Sequence, residues 1–151
     1  MKFHGFHHAA ATLFGVGFLP VAPGTWGSLV AVAVWFGLQH FIPTTGIILL
    51  TVILFFLGVW ITNHVARHEA DEDPAEIVLD EWVGQWIPLW IIPATPEYII
   101  FAFVLFRIFD VAKPWPVSLY DNISGGWGIM LDDIAAGVYA LLILEGMMFI
   151  L

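Results

Sequence analysis

Long apolar blocks separated by short polar interruptions run through the chain, and their lengths predict helices that cross a lipid bilayer. Residues 46–66 (GIILLTVILFFLGVWITNHVA) contain no Asp, Glu, Lys or Arg, which matches the length and composition of a transmembrane helix. Similar blocks predict segments at residues 26–42, 77–93, 97–112 and 134–151. The first is short, near 25 Å at about 1.5 Å per residue, which suits a thin bilayer or shielding by neighbouring helices. The third carries Asp80 and Glu81 in its first turns, ends at Pro93, and need not cross completely. Residues 1–19 are expected to lie along the interface. The expected architecture is therefore an all-α polytopic membrane helix bundle with four to five membrane segments and an interfacial N-terminal segment. Residues 1–151 are expected to form a single integral-membrane domain.

Alternate crossings would bring residues 20–25, 67–76 and 113–133 to one face of the membrane. Lys2, Arg67 and Lys113 fall on that face, whereas the opposite loops hold no Lys or Arg. The positive-inside rule makes it the cytoplasmic one.

Composition narrows the function. The chain of 151 residues is 60% apolar and 11% charged, whereas soluble domains carry about a quarter charged residues. Thirteen acids against four Lys plus Arg give a net charge of −9. That balance disfavours nucleic acid as a partner and a polybasic lipid anchor. The absence of Cys excludes disulfides, thiolate metal sites and a cysteine nucleophile. The N-terminus shows no convincing cleavage site and is not read as a signal peptide.

The chemistry concentrates in five acids: Asp80 and Glu81 (VLDEWVG), Asp110 (FRIFDVAKPWP), and Asp132 with Asp133 (GGWGIMLDDIAAG). Each stands at the membrane-proximal end of an apolar helix, where an ion within the hydrocarbon costs roughly 2.5 to 3.5 kcal/mol. If they converge, each like-charge contact near 4 Å costs on the order of 4 kcal/mol at an effective dielectric of about 20. A bound cation removes that cost, and oxygen ligands favour a hard ion such as Mg²⁺, with Mn²⁺ or Ca²⁺ as alternatives. Helix capping is the plainer account of Asp80 and Asp132. It leaves unexplained the adjacent pairs, and Asp110 near a helix C-terminus.

Arg107, Asp110 and Lys113 recur at a spacing of three and share a helical stripe. They suit either an intrahelical ion pair with a snorkelling Lys or a phosphate grip beside the acids. The run from Pro23 to Ser28 (PGTWGS), with Thr25 and Ser28 as hydroxyls, could present N–H groups to an anion or merely cap a helix. It lacks a Walker lysine, so nucleotide is not implied. Gly125, Gly126 and Gly128 are expected to fold a loop tightly over the site. His64 and His68 have zinc-compatible spacing but read more simply as interfacial side chains. Trp82, Trp86 and Trp90 form a packing or anchoring stripe.

The four ordered motifs PVAPGTWGSL, VLDEWVGQW, FRIFDVAKPWP and GGWGIMLDDIAAG, spread over residues 14–140, closely resemble the phosphatidylglycerophosphatase A family of bacterial inner-membrane enzymes. The resemblance implies Mg²⁺-dependent hydrolysis of phosphatidylglycerophosphate to phosphatidylglycerol and inorganic phosphate. It places the family's acidic positions on Asp80, Glu81, Asp110, Asp132 and Asp133, its basic ones on Arg107 and Lys113, and its Gly-rich loop on Pro23 to Ser28. The expected metal ligands for one or two Mg²⁺ ions are Asp80, Glu81, Asp132 and Asp133, with Asp110 a further ligand or a general base. Arg107, Lys113, Thr25 and Ser28 would bind the substrate phosphate and headgroup. The expected location is the bacterial cytoplasmic membrane, with the site facing the cytoplasm, and a homo-oligomer is compatible with this reading. The alternative is a divalent-cation carrier or channel subunit using the same acids, which requires them near mid-membrane and open to both sides.

Overall fold

A computed structural model describes residues 5–66, 76–120 and 122–150. Lys2, Arg67, His68 and the acidic run from Glu69 to Asp73 lie outside them, so of the three cations used for orientation only Lys113 is placed. Every regular element among the described residues is helical: α1 (Phe6–Ala11), a 3₁₀ segment (Leu13–Phe18), α2 (Pro23–Leu38), α3 (Thr44–Ala66), α4 (Leu79–Leu89), α5 (Pro96–Ala112), α6 (Val117–Tyr120) and α7 (Gly126–Ile150).

Local chemistry sets the boundaries. Pro23 and Pro96 open α2 and α5, where a missing N–H costs nothing and φ is already helical. Lys113 ends α5 in the left-handed conformation at φ 42°, and Pro114 prevents continuation. The helix predicted from residue 134 begins at Gly126, so Asp132 and Asp133 are inside it rather than at its cap. Asp80 is the second residue of α4, behind Val78 at the N-cap, which makes no side-chain cap. Neither pair is a side-chain N-cap, although Asp80 and Glu81 stand in the first turn of α4, where the helix dipole favours acids.

Among the described residues only α3 and α7 are long and apolar enough to cross a membrane by length and composition, fewer than the four or five segments expected. The difference lies in length: α2 has 16 residues, α4 has 11 and α5 has 17, about 24, 16 and 25 Å at 1.5 Å each. In both α3 and α7 only 28% of an 18-residue apolar stretch is buried, whereas the core helix of a soluble protein would be mostly covered. Large apolar side chains such as Leu49, Ile53, Phe56, Ile100, Val104, Ile108, Leu142 and Phe149 point outward, far more apolar surface than a soluble monomer shows.

Helix α4 is the axis of the bundle and touches α2, α3, α5 and α7. Val83, Trp86, Ile87 and Leu89 are buried. The Trp stripe does packing work, since Trp86 Nε1 donates to the Ala31 carbonyl at 2.8 Å and Trp90 Nε1 to Thr51 Oγ1 at 3.2 Å. Gly84 and Gly137 set the approach of α4 to α7. A Cβ on Gly84 would stand 2.6 Å from the Asp133 carbonyl, and one on Gly137 would run into the Gly84 carbonyl. Gly125, Gly126 and Gly128 serve a different contact from the loop closure expected of them. Gly126 lies against Thr62 and Val59 of α3, and its N–H donates to Asn63 Oδ1 at 2.8 Å.

Candidate active site

One end of the bundle holds a cavity of about 290 Å³ lined by Ala22, Pro23, Gly24, Ile77, Asp80, Glu81, Arg107, Asp110, Lys113, Asp132 and Asp133. All five sequence-flagged acids and both flagged bases thus meet in one place, delivered by α4, α5 and α7. Five acids and two bases leave three formal negative charges in a small, partly enclosed volume.

Asp80, Glu81 and Asp133 are the tightest group. Each offers a carboxylate oxygen, and the three oxygens lie within 4.8 Å of one another, so the cluster could hold a metal ion. Glu81 Oε2 and Asp133 Oδ2 are buried with no hydrogen-bond donor from the protein. A buried acceptor left this way is costly, and two on carboxylates of one acidic cluster invite a cation.

The other two acids are engaged with bases. Lys113 Nζ donates to Asp132 Oδ2 at 2.7 Å, and the Asp133 N–H donates to Asp132 Oδ1 at 3.0 Å. Lys113 therefore reaches across from the end of α5 to α7 rather than snorkelling outward. Arg107 Nη1 donates to Asp110 Oδ2 one turn along α5 and stands 3.9 Å from Glu81 Oε1. The Arg107–Asp110 ion pair of the stripe is present and stands on the cavity wall, without the snorkelling Lys expected beside it.

The Gly-rich segment contributes differently from the expectation for Thr25 and Ser28. Ser28 is buried and its Oγ donates to the Gly24 carbonyl at 3.0 Å, and Thr25 lines a separate groove outside the cavity. What meets the cavity is the start of α2, at Ala22, Pro23 and Gly24. A Cβ on Gly24 would overlap the Glu81 carboxylate, with Arg107 Nη1 3.1 Å away. Gly24→Ala should therefore push the flexible end of Glu81 out of the cluster without disturbing the helices. The expected result is a loss of about 10- to 100-fold in turnover, since a 1 Å misplacement can cost about that much. Thermal unfolding should move little, and a variant of wild-type activity would exclude this role.

Sequence reasoning did not single out Gly84, Gly137 or the backing of α4. Gly84 follows Asp80 by four residues and Gly137 follows Asp133 by four, so each shares a helical face with its acid; that repeated spacing was the available signal. The segment entering α4 is held by the N-terminal region. The Val78 N–H donates to the Ala11 carbonyl at 3.0 Å, and His8 Nε2 is 2.7 Å from Glu76 Oε1. His64 stacks on His7 at 4.1 Å between ring centroids, away from the acids, and His68 lies outside the described residues.

A family model described as phosphatidylglycerophosphatase A matches residues 9–148. Among curated proteins, the chain is 44% identical over 140 residues to a Bacteroides thetaiotaomicron protein named as a candidate phosphatidylinositol-3-phosphatase, covering 88% of this chain and 87% of the relative. It is 41% identical over 133 residues to the phosphatidylglycerophosphatase A of Escherichia coli, covering 87% and 77%. The Haemophilus influenzae phosphatidylglycerophosphatase A is 36% identical over 138 residues, covering 90% and 85%. No solved structure matches the chain significantly.

Proposed function

The chain belongs to the phosphatidylglycerophosphatase A family and is a phosphoric monoester hydrolase that converts phosphatidylglycerophosphate to phosphatidylglycerol and inorganic phosphate; we propose that it does so with a divalent cation held by Asp80, Glu81 and Asp133. The observation that carries the proposal is the cavity itself: three carboxylates within 4.8 Å, beside an arginine and a lysine, with three net negative charges. An anionic phosphomonoester could not enter that field unaided. One divalent cation would bring the formal charge of the cavity to −1 and two would bring it to +1.

The donor set is all carboxylate oxygen, which suits Mg²⁺. When bound, Mg²⁺ would polarise the phosphoryl oxygens and make a coordinated water more acidic. Arg107 would grip the phosphate oxygens, with Asp110 fixing its guanidinium from the adjacent turn. Asp110, beside Asp133 on the cavity wall, would serve either as a further ligand or as the base that takes the proton of the attacking water. Lys113 and Asp132 form the opposite wall, where the lysine can offer a further donor to the phosphate. The N–H groups and partial positive charge at the start of α2 face the same volume through Gly24. Chemistry of this kind depends mainly on placing charge around the phosphoryl group.

We place the cavity at the cytoplasmic face of the bacterial inner membrane, with α3 and α7 crossing the bilayer and the shorter α2, α4 and α5 packed against them. Exposed Trp26, Trp60, Trp115 and Trp127 stand toward the cavity end of their segments, as an interfacial aromatic belt does. A cation carrier fits less well. Between the cavity and the far end, Trp35, Trp86, Leu89, Ala102 and Leu144 pack as one buried apolar cluster, where a carrier needs a wet path.

The test is phosphate release from phosphatidylglycerophosphate in liposomes, with Mg²⁺ or with EDTA, and phosphatidylinositol 3-phosphate as a competing headgroup. Release is expected with Mg²⁺ and phosphatidylglycerophosphate, and full activity in EDTA would end the metal assignment. Arg107→Lys should lower turnover by about 10- to 100-fold, because a point ammonium replaces neither the bidentate fork nor the hold on Asp110. An unchanged rate would remove Arg107 from the phosphate grip.

A further inference from the structure

Beside the polar cavity, on the outer surface of the bundle, a groove of about 490 Å³ runs between the start of α2 and the last three turns of α5. It is lined by Thr25, Phe103, Val104, Arg107, Ile108, Val111 and Ala112. We propose that this groove seats an acyl chain of the glycerolipid substrate, so that the lipid enters sideways from the bilayer and delivers its phosphate past Arg107. The inference rests on the lipid-phosphatase reading and adds the direction of entry and the residues that hold the tail.

Three observations support it. The groove and the cavity share one wall, since Arg107 lines both. A single residue thus borders the apolar slot while its guanidinium stands by Asp110 and Glu81. Thr25 lines the groove, whereas its neighbours Ala22, Pro23 and Gly24 line the cavity, so the start of α2 also passes from one to the other. Finally, Val104, Ile108 and Val111 are exposed on the outward face of α5, within the apolar belt that a bilayer would cover. A slot that is apolar along its length and reaches an anion-binding cavity at one end matches an amphiphile whose phosphate terminates an apolar tail. A soluble sugar phosphate would gain nothing from the apolar lining.

The test compares two substrates in proteoliposomes: long-chain phosphatidylglycerophosphate and its dihexanoyl analogue, which has the same headgroup and almost no tail. Val104→Trp fills the groove from an already exposed position. It is expected to raise KM for the long-chain lipid by about tenfold or more, as adding or removing contacts in an apolar pocket does. Its kcat should hold, and KM for the dihexanoyl lipid should stay within about twofold. Leu142→Trp, equally lipid-facing on α7, should change neither. A second measurement does not depend on the variant folding. Phosphatidylglycerol with a diazirine on one acyl chain should label wild-type protein at Phe103, Val104 and Ile108 in preference to Leu142 and Phe149, and excess unlabelled substrate should suppress it. Equal losses on both lipids, no loss on either, or labelling spread evenly over α5 and α7 would overturn the groove assignment. If wild-type protein hydrolyses neither lipid, the phosphatase reading falls instead.

Discussion

Replacing Asp133 with Asn is expected to abolish phosphate release while making the metal-free protein more stable. The two effects have one cause. Asp133 is buried in α7, its Oδ2 has no hydrogen-bond donor from the protein, and it belongs to the three-carboxylate cluster with Asp80 and Glu81. Without a cation, each like-charge contact near 4 Å costs on the order of 4 kcal/mol at an effective dielectric of about 20. Asparagine keeps the shape and deletes the charge. Thermal unfolding in EDTA should therefore shift upward in the variant. Wild-type protein should regain stability with Mg²⁺, by about 2.7 kcal/mol at 100 times the dissociation constant, and the variant should gain little. Activity should fall by at least about 100-fold, since even residues behind metal ligands cost about 10- to 100-fold when removed. A variant that is less stable in EDTA, or that still responds fully to Mg²⁺, would show that Asp133 is structural.

The site was more legible in the sequence than the fold around it. Charged residues in an apolar chain are few and costly, so Asp80, Glu81, Arg107, Asp110, Lys113, Asp132 and Asp133 stood out, and the topology that aligned helix ends brought them together. Segment boundaries were harder because hydropathy does not distinguish a helix facing lipid from one facing other helices. Helix α4 reads as a membrane segment in the sequence, yet in the structure its apolar residues are enclosed by four neighbours. The start of α7 was missed by eight residues because Gly126 and Gly128, which read as loop, are helical positions chosen for close approach to α3 and to the Ile123 carbonyl. Thr25 and Ser28 look alike in sequence, as hydroxyls in a Gly-rich stretch. One full helical turn separates Gly24 from Ser28, so the Ser28 hydroxyl closes back onto the Gly24 carbonyl, while Thr25 turns toward α5. Pair geometry of that kind becomes visible only once the helix start is known.

Gly84→Ala should cost both stability and activity, although alanine is the better helix former by about 1 kcal/mol. An added Cβ would meet the Asp133 carbonyl oxygen at 2.6 Å and the Phe106 ring at 2.7 Å. Neither can yield easily: the first is backbone inside α7, and Phe106 is fully buried. The helices must part, and overpacking of this kind costs typically about 1 to 3 kcal/mol, enough to reverse the propensity gain. The displacement falls on the seam that positions catalysis, because Asp80 and Glu81 ride on α4 and Asp133 on α7. A separation approaching 1 Å would lower turnover by about 100-fold. Gly37 and Gly146 provide the contrast, since a Cβ at either meets nothing within 4 Å. Gly37→Ala and Gly146→Ala should leave activity unchanged and stability equal or higher. Thermal unfolding and phosphate release measured on the three variants decide between the two origins of the effect. If Gly84→Ala stabilised the protein as the other two are expected to, the α4–α7 contact would not set the carboxylate geometry. Loss at Gly84 alone would tie the spacing of the acids to a glycine one turn beyond Asp80.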